Sequence, residues 1–176
     1  PLQADITQKA LTISGITAGS KTYNGLKDAT VSTSNVVRDG LIDNDELTIS
    51  TTGLFIDKHA ANGKTVNLTS TYGGADVGNY AITDQATATA NIDKAELTIS
   101  GITAANKTYN GNRDAVVSTA NVVRTGLISG DDLTVTTTGL FNDKNASSTA
   151  KTVTLTSTYG GADARNYTIT DQATTT

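Results

Sequence analysis

The chain has 176 residues, with 13 basic and 17 acidic side chains, a formal net charge of −4, and no cysteine, methionine or tryptophan. The lack of cysteine excludes a disulfide framework, a thiolate metal site and a cysteine nucleophile. The basic residues are scattered singly, so the sequence lacks the clustered positive charge with which proteins bind nucleic acid or an anionic membrane.

The sequence carries no feature of export or membrane insertion. No apolar run approaches the roughly 18 residues that a membrane-spanning helix requires. The first five residues, Pro1 to Asp5, have neither the basic nor the apolar region of a signal peptide. We expect no membrane insertion, and we expect any export signal to lie outside this sequence.

An internal repeat divides the chain in two. The segment Leu11–Ala18 recurs 86 residues later as Leu97–Ala104, and one residue inserted before Lys151 raises the offset to 87. Solenoid repeats have units of about 20 to 50 residues that cannot bury a core alone, and this unit is longer. We therefore predict two tandem domains, residues 1–93 and 94–176.

Alternation of polar and apolar residues within each copy predicts β-strands. Leu47, Ile49 and Phe55 share one parity, and the pattern returns in the second copy up to Phe141. The chain is rich in Thr, which with Val, Ile and Tyr favours a pleated surface over a helix. We predict an all-β fold of two β-sandwich or β-grasp-like domains in an elongated end-to-end arrangement. One short helical turn per domain is expected in the least strand-like stretch, residues 35–45.

Turn residues separate the predicted strands. Asn24-Gly25 and Asn110-Gly111 suit a tight primed hairpin turn, which requires positive φ. The pairs Gly73-Gly74 and Gly160-Gly161 are expected to mark a later hairpin.

The apolar parity changes where the two copies meet. Ala90 and Ile92 occupy even positions, Leu97 and Ile99 occupy odd ones, and no Gly or Pro lies between them. Because successive side chains of a strand point to opposite faces, this change places the two series in different cores. We infer that one extended segment ends the first domain and begins the second, with little freedom to bend. Ile6 aligns with Ile92, so we expect the same junction before the first copy and a longer array of such repeats.

The order of short motifs resembles a known family of repeats. Each copy runs Leu-Thr-Ile, Lys-Thr-Tyr-Asn-Gly, Thr-Gly-Leu-Phe, Tyr-Gly-Gly-Ala-Asp and Asn-Tyr. This order resembles the YDG-type repeats of large bacterial surface proteins, such as filamentous-haemagglutinin-like adhesins. Both copies read Tyr-Asn-Gly where the family name implies Tyr-Asp-Gly, a change that preserves the turn chemistry. The motif residues are Tyr23, Asn24, Gly25, Phe55, Tyr72, Gly73, Gly74 and Tyr80, followed by Tyr109, Asn110, Gly111, Phe141, Tyr159, Gly160, Gly161 and Tyr167.

The resemblance covers essentially the whole chain and carries no catalytic residues to transfer. It implies a stalk or accessory module at the surface of a bacterial cell. The expected partners are neighbouring repeats of the same polypeptide, with host glycan or host protein as a further possibility. We expect the chain itself to be a monomer.

One acidic cluster has the oxygen ligands that Ca²⁺ prefers. Asp43 and Asp45 lie in it, and the matching stretch of the second copy contains Asp131 and Asp132. The second stretch loses one carboxylate and a side-chain amide, and neither copy has the full calcium-loop pattern. We therefore predict polar turns and no bound metal.

The sequence offers little for catalysis. His59 is the only histidine, and Asn145 stands at its place in the second copy. No Gly-x-Ser-x-Gly elbow occurs, and no long insertion is present that would build a cleft. We predict no enzymatic activity and no cofactor.

Two kinds of covalent modification are open. Asn-x-Ser/Thr sequons occur at Asn67, Asn106, Asn145 and Asn166, none at matching places in the two copies. An isopeptide cross-link would strengthen a domain without cysteine, and Lys21 and Lys107 are its candidates.

Two functions of different classes follow from these observations. The first is a structural stalk or spacer of a cell-surface adhesin, in which rigid tandem domains extend a distal adhesive region. The alternative is a multivalent ligand-binding repeat that contacts host glycan, matrix protein or like domains on neighbouring cells. The tyrosines suit carbohydrate stacking, but Tyr23, Tyr72 and Tyr80 recur in the second copy, and we predict that they are core residues.

Overall fold

A computed structural model describes residues 4–176 of the chain. Pro1, Leu2 and Gln3, which belong to the segment without signal-peptide features, lie outside the described residues. Cα packing divides the chain into two units. The first unit extends to Asp93 but omits Tyr23–Gly25, and the second unit consists of Tyr23–Gly25 and Lys94–Thr176.

Both units are all-β, as the sequence predicts. The strands of the first unit are β1 (Lys9–Ser14), β2 (Thr17–Ala18), β3 (Lys21–Thr22), β4 (Asp28–Ala29), β5 (Val31–Ser32), β6 (Val37–Asp39), β7 (Thr48–Phe55), β8 (Ala61–Gly73), β9 (Tyr80–Thr83) and β10 (Thr87–Asp93). Those of the second unit are β11 (Ala95–Ser100), β12 (Thr103–Ala104), β13 (Asp114–Ala115), β14 (Val117–Ser118), β15 (Val123–Thr125), β16 (Thr134–Phe141), β17 (Val153–Gly160), β18 (Tyr167–Thr170) and β19 (Thr174–Thr175). No helix of the described residues is long and apolar enough to cross a membrane.

The first unit has two principal sheets. One has three strands in the order β6-β1-β9, and the other has five in the order β3-β10-β8-β7-β4. β1 runs parallel to β9 and antiparallel to β6, and β10 runs parallel to β3 and antiparallel to β8. The short strands β2 and β5 form a separate antiparallel pair.

The core of the first unit follows the predicted alternation. Leu11 and Ile13 of β1 are buried, while Thr12 between them and Ser14 after them are exposed. With Ile16 and Tyr80 they form a cluster against which half-buried aliphatic residues and Tyr72 pack. In the five-stranded sheet, Phe55 lies opposite Val66 in the β7–β8 register, and both are fully buried.

The second unit repeats this plan with fewer strands. Its sheets have the orders β15-β11-β18 and β13-β16-β17-β19, and β12 pairs with β14. Lys107 and Thr108, which correspond to β3, are not in a strand, and β17 spans 8 residues where β8 spans 13. The buried side chains include Leu97, Ile99 and Val153.

The connection between the units is a single residue. β10 ends at Asp93 and β11 begins at Ala95, with Lys94 between them. Ala90 and Ile92 are buried on β10, and Ala95, Leu97 and Ile99 are buried on β11. The parity of the buried positions therefore changes across Lys94 as the sequence pattern indicates.

The position expected for the helical turn was wrong. Each unit has one 3-10 turn, but these turns lie at Val77–Asn79 and Ala164–Asn166. Residues 35–45 contain β6, which pairs with β1. A helix is also disfavoured there because Gly40 and Asn44 have positive φ, 102° and 74°.

The hairpins predicted at the Asn-Gly and Gly-Gly pairs were also wrong. Gly25 and Gly111 have positive φ, but the asparagines before them do not, so neither turn is of the primed type. The strands that flank Gly25 pair with different partners, β3 with β10 and β4 with β7. The Gly73-Gly74 pair ends β8, but β9 pairs with β1 instead of returning along β8.

The need for glycine at position 74 follows from a close backbone approach. A Cβ atom there would lie 2.1 Å from the carbonyl oxygen of Glu46, and the φ of Gly74 is +106°. Gly161 has the same role in the second unit, where a Cβ would lie 2.4 Å from the carbonyl oxygen of Asp132. This close approach of two backbone segments determines where β8 and β17 end.

We expect Gly74→Ala to destabilise the first unit strongly. The positive φ alone costs about 1–3 kcal/mol for a residue with a side chain, and the clash with Glu46 adds to it. The control is Gly78→Ala, because a Cβ at Gly78 meets no atom within 4 Å and its φ is not positive. Urea unfolding measures both variants, and equal free energies of unfolding would contradict the steric explanation.

Candidate functional site

Tyrosine hydroxyls paired with aspartates are the most regular side-chain feature of the chain. In each unit, two tyrosines of the sheets donate a hydrogen bond to an aspartate. The pairs are Tyr72–Asp84, Tyr80–Asp45, Tyr159–Asp171 and Tyr167–Asp131. A buried hydroxyl without a partner would cost about 1–3 kcal/mol, so these bonds allow tyrosine to serve as core material.

The pairing favours the neutral form of Tyr72, Tyr80 and Tyr167 by raising the pKa of each. The hydrogen bond to Asp45, followed by burial, raises the pKa of Tyr80. For Tyr72 and Tyr167, burial is the larger cause of a raised pKa, and the bonded aspartates Asp84 and Asp131 add to it. The neutral hydroxyl can donate to a carboxylate, whereas a phenolate beside it would be repelled.

In the second unit, a further tyrosine, Tyr23, lies at the Tyr167–Asp131 pair. The Tyr23 hydroxyl lies 3.0 Å from Asp131 Oδ1 and 3.5 Å from Asp163 Oδ1. Its ring meets that of Tyr167 edge to face, with centroids 5.6 Å apart and an interplanar angle of 81°. Tyr23 is only 3% exposed, and a Cβ on Gly25 would lie 3.2 Å from Ile128 Cγ2. We call Ile128, Asp131, Asp163 and Tyr167 the second-unit socket.

The first unit has the corresponding residues in the same arrangement. We call Ile42, Asp45, Asp76 and Tyr80 the first-unit socket. The Ile42 amide donates to the Tyr80 hydroxyl at 3.0 Å, and the Ile128 amide donates to the Tyr167 hydroxyl at the same distance. The Glu46 amide likewise donates to Asp76 Oδ2 at 2.9 Å.

The first-unit socket opens into a cavity of about 260 Å³. Ile42, Asp45 and Tyr80 line it, together with Ile6 and with Lys9, the first residue of β1. Ile42 is 51% exposed, whereas Ile128 of the second-unit socket is half-buried. The two sockets therefore share their hydrogen bonds and differ in whether a tyrosine fills them.

The lysine of each Lys-Thr-Tyr-Asn-Gly motif closes the loop that carries the motif tyrosine. Lys21 Nζ donates to the Leu26 carbonyl at 2.9 Å, and Lys107 Nζ donates to the Asn112 carbonyl at 2.9 Å. The ammonium groups lie 5.6 Å and 5.7 Å from the ring centroids of Phe55 and Phe141. The motif lysine therefore fixes both ends of its loop against the sheet.

The same lysines were the candidates for an isopeptide bond. Lys21 forms an ion pair with Asp28 at 2.9 Å, and Lys107 Nζ lies 2.7 Å from Asn112 Oδ1. Each lysine thus has a carboxyl or carboxamide side chain within reach. A cross-link stays a prediction, which the intact mass of the chain would reveal as the loss of one water or one ammonia.

A second lysine pair was not predicted from the sequence. Lys64, only 7% exposed, bonds Asp57 at 2.5 Å, and Lys151 bonds Asp143 in the second unit. The lysine hydrogen bond is the main cause of a lowered pKa at both Asp57 and Asp143. The signal was present, since both residues recur in the second copy despite the insertion before Lys151.

The candidate metal residues have other partners. Asp45 and Asp131 accept the hydroxyls of Tyr80 and Tyr167, and Asp132 Oδ2 accepts the Ala162 amide at 3.1 Å. Asp43 lies on an exposed turn. Among residues 4–176, no three His, Cys, Asp or Glu side chains are grouped as a metal site would require.

The remaining candidates lie at separate places. His59 is half-buried in the loop after β7, where its amide donates to Asp57 Oδ1 at 2.8 Å. Three sequons, at Asn67, Asn106 and Asn145, are exposed, whereas Asn166 is fully buried and closed to glycosylation in the folded chain.

The prediction that the tyrosines are core residues is confirmed at three of the six positions, and two more are half-buried. Tyr23, Tyr80 and Tyr167 are buried, and Tyr72 and Tyr159 are half-buried. Tyr109 is 58% exposed, although its motif is identical to that of Tyr23. Phe141 is half-buried where Phe55 is fully buried.

These features define a tandem all-β module whose recurrent side chains serve packing. The family model of the YDG domain matches residues 7–90 and again residues 93–176. The chain therefore belongs to the YDG domain family. No curated protein and no solved structure matches it significantly.

We expect the stability of the fold to decrease at alkaline pH. The pKa values of Tyr72, Tyr80 and Tyr167 are raised in the folded chain above the value of about 10 for unfolded chains. Stability from these groups is therefore complete below pH 10 and is lost as the pH rises through their folded pKa values. Urea unfolding between pH 8 and 12 measures the change. Tyr80→Phe should have a shallower loss, and an unchanged profile in that variant would contradict the assignment.

We expect Tyr23→Ala to destabilise the second unit, although Tyr23 belongs to the first copy of the sequence. Removing a buried aromatic ring costs about 3–5 kcal/mol. The matched control is Tyr109→Ala, which removes the same residue from the same motif at an exposed position and should cost less than about 0.5 kcal/mol. Amide hydrogen exchange at Ile128 and Tyr167 reports the effect, and equal protection in the two variants would refute it.

Proposed function

We propose that this chain is a structural stalk segment of a bacterial cell-surface adhesin, which extends a distal adhesive region and has no catalytic activity. One observation carries the proposal, namely the single residue Lys94 between β10 and β11. Because each residue has only two soft backbone dihedrals, a one-residue connection between two paired strands has very few ways to bend.

Burial on both sides of Lys94 supports this role. Ile92 is 1% exposed on β10 and Leu97 is 1% exposed on β11, so neither strand end can fray without exposing a core residue. Burying such a side chain is worth about 1.5–3 kcal/mol. Two anchored strands joined by one residue would transmit force between successive domains.

The family match supports the same role from the sequence. Two YDG domains follow each other with only two residues between the matched ranges, 7–90 and 93–176. The motifs resemble repeats of large bacterial surface proteins, where such domains occur in long runs. Repetition without a flexible linker suits a spacer, since each added domain adds length.

The alternative of multivalent ligand binding stays a prediction. A glycan would require exposed aromatic faces with available polar groups. Tyr72 and Tyr159 are half-buried and bond to Asp84 and Asp171, so these residues do not favour the alternative.

Small-angle X-ray scattering tests the stalk. A single compact globule of 176 residues would have a radius of gyration of about 16 Å, and we expect a clearly larger value. The control is a variant with a Gly-Ser linker of about eight residues between Lys94 and Ala95, which should be flexible by the same measurement. A radius near 16 Å for the parent would rule out a stiff spacer.

A further inference from the structure

The first-unit and second-unit sockets differ in whether a tyrosine loop fills them, which suggests how one copy of this chain recognises another. In the second unit, the socket residues surround Tyr23, with the hydroxyl 3.0 Å from Asp131 and the ring against Tyr167. In the first unit, Ile42, Asp45 and Tyr80 instead line a cavity of about 260 Å³. The hydrogen bonds that shape the socket are present in both units.

The matching tyrosine loop is present and exposed in the second unit. Tyr109 is 58% exposed, and a Cβ at Gly111 would meet no atom within 4 Å. The loop nevertheless shares two features with its buried counterpart. The φ values of Gly25 and Gly111 are 78° and 82°, and the motif lysine makes the same hydrogen bond to the loop carbonyl in both copies.

We propose that the first-unit socket binds the Tyr109–Gly111 loop of another copy of this chain. The Tyr109 hydroxyl donates to Asp45, its ring packs edge to face on Tyr80, and Gly111 lies against Ile42. Each of these contacts has its counterpart on the second-unit socket, made there by Tyr23 and Gly25. Because the loop is already closed by Lys107, little conformational entropy is lost when it binds.

A second pair of surfaces, the Ile6 segment and a groove of the second unit, is available for contact between the same two copies. Ile6, which aligns with Ile92, is fully exposed beside the first-unit socket. The second unit has a groove of about 460 Å³ lined by Lys107, Phe141 and Lys151.

The first unit shows what fits such a groove. There the strand partners of Ile92 and Ala90 are Lys21 and Lys64, the counterparts of Lys107 and Lys151. The Ile6 segment of one copy can therefore enter the Phe141 groove of the copy whose Tyr109 it receives. The two contacts give the pairing one direction, from the second unit of one copy to the first unit of the next.

This inference does not rest on the stalk function, because it concerns association of the chain with its own kind in any setting. Sedimentation of the whole chain from about 10 µM to about 1 mM tests it, the upper value being the effective concentration that a short linker would provide. We expect a monomer at the lower end and head-to-tail association at the upper end. Amide NMR signals of Ile42, Asp45 and Tyr80 should shift with concentration.

Three variants assign the contact. Tyr109→Ala removes the loop side chain and Ile42→Asp alters the exposed wall of the socket, and each should weaken association about tenfold. The control is Val116→Ala, which changes a residue that is 70% exposed on the second unit and should have no effect. A monomer throughout the range, or association that Tyr109→Ala or Ile42→Asp leaves intact, would overturn the proposal.

Discussion

The hydrogen bond from a core tyrosine to an aspartate is the interaction on which the rest of this structure depends. Each unit has one phenylalanine and no tryptophan or methionine, and neither has a disulfide to compensate. Domains of this size bury only about 60–65% of their unfolded surface, so each large ring matters. Tyr80 and Tyr167 fill the core next to β1 and β11, and Asp45 and Asp131 accept their hydroxyls. The backbone amides of the same aspartates donate to the carbonyls of Ile42 and Ile128 and so close the turns before β7 and β16. These hydrogen bonds connect the core tyrosines to the residues that line each socket.

The sequence predicts the fold well where a local pattern determines the structure. The alternation around Ile49 and Phe55 identifies β7, and the change of parity between Ile92 and Leu97 marks the passage from β10 to β11. Periodicity is reliable there because one face of each strand must be buried. It fails where tertiary pairing decides. The Asn24-Gly25 step has turn chemistry, but β3 and β4 join different neighbours, so no hairpin forms.

The socket could not be predicted from one copy of the sequence. Tyr23 and Tyr109 lie in the same five-residue motif, yet one is 3% and the other 58% exposed. No local propensity distinguishes them, because the burial of Tyr23 arises from Asp131, Asp163 and Tyr167, more than 100 residues away. The lysine pairs are a different case. Lys64 and Lys151 keep their aspartate partners across an insertion, so alignment of the two copies is sufficient to reveal them.

How often a contact made by one loop is formed depends on whether its two partners are tethered to each other. A dissociation constant near 1 mM corresponds to only about −4 kcal/mol, which leaves separate molecules mostly apart at micromolar concentration. When the partners are joined by a short segment, the effective concentration reaches the millimolar range, and the same contact is formed much of the time. A single tyrosine in a preformed socket is therefore suited to an association that is weak between separate molecules and becomes substantial when the partners are tethered. A larger apolar patch would bind its partner more tightly, but while exposed on a separate molecule it would promote aggregation.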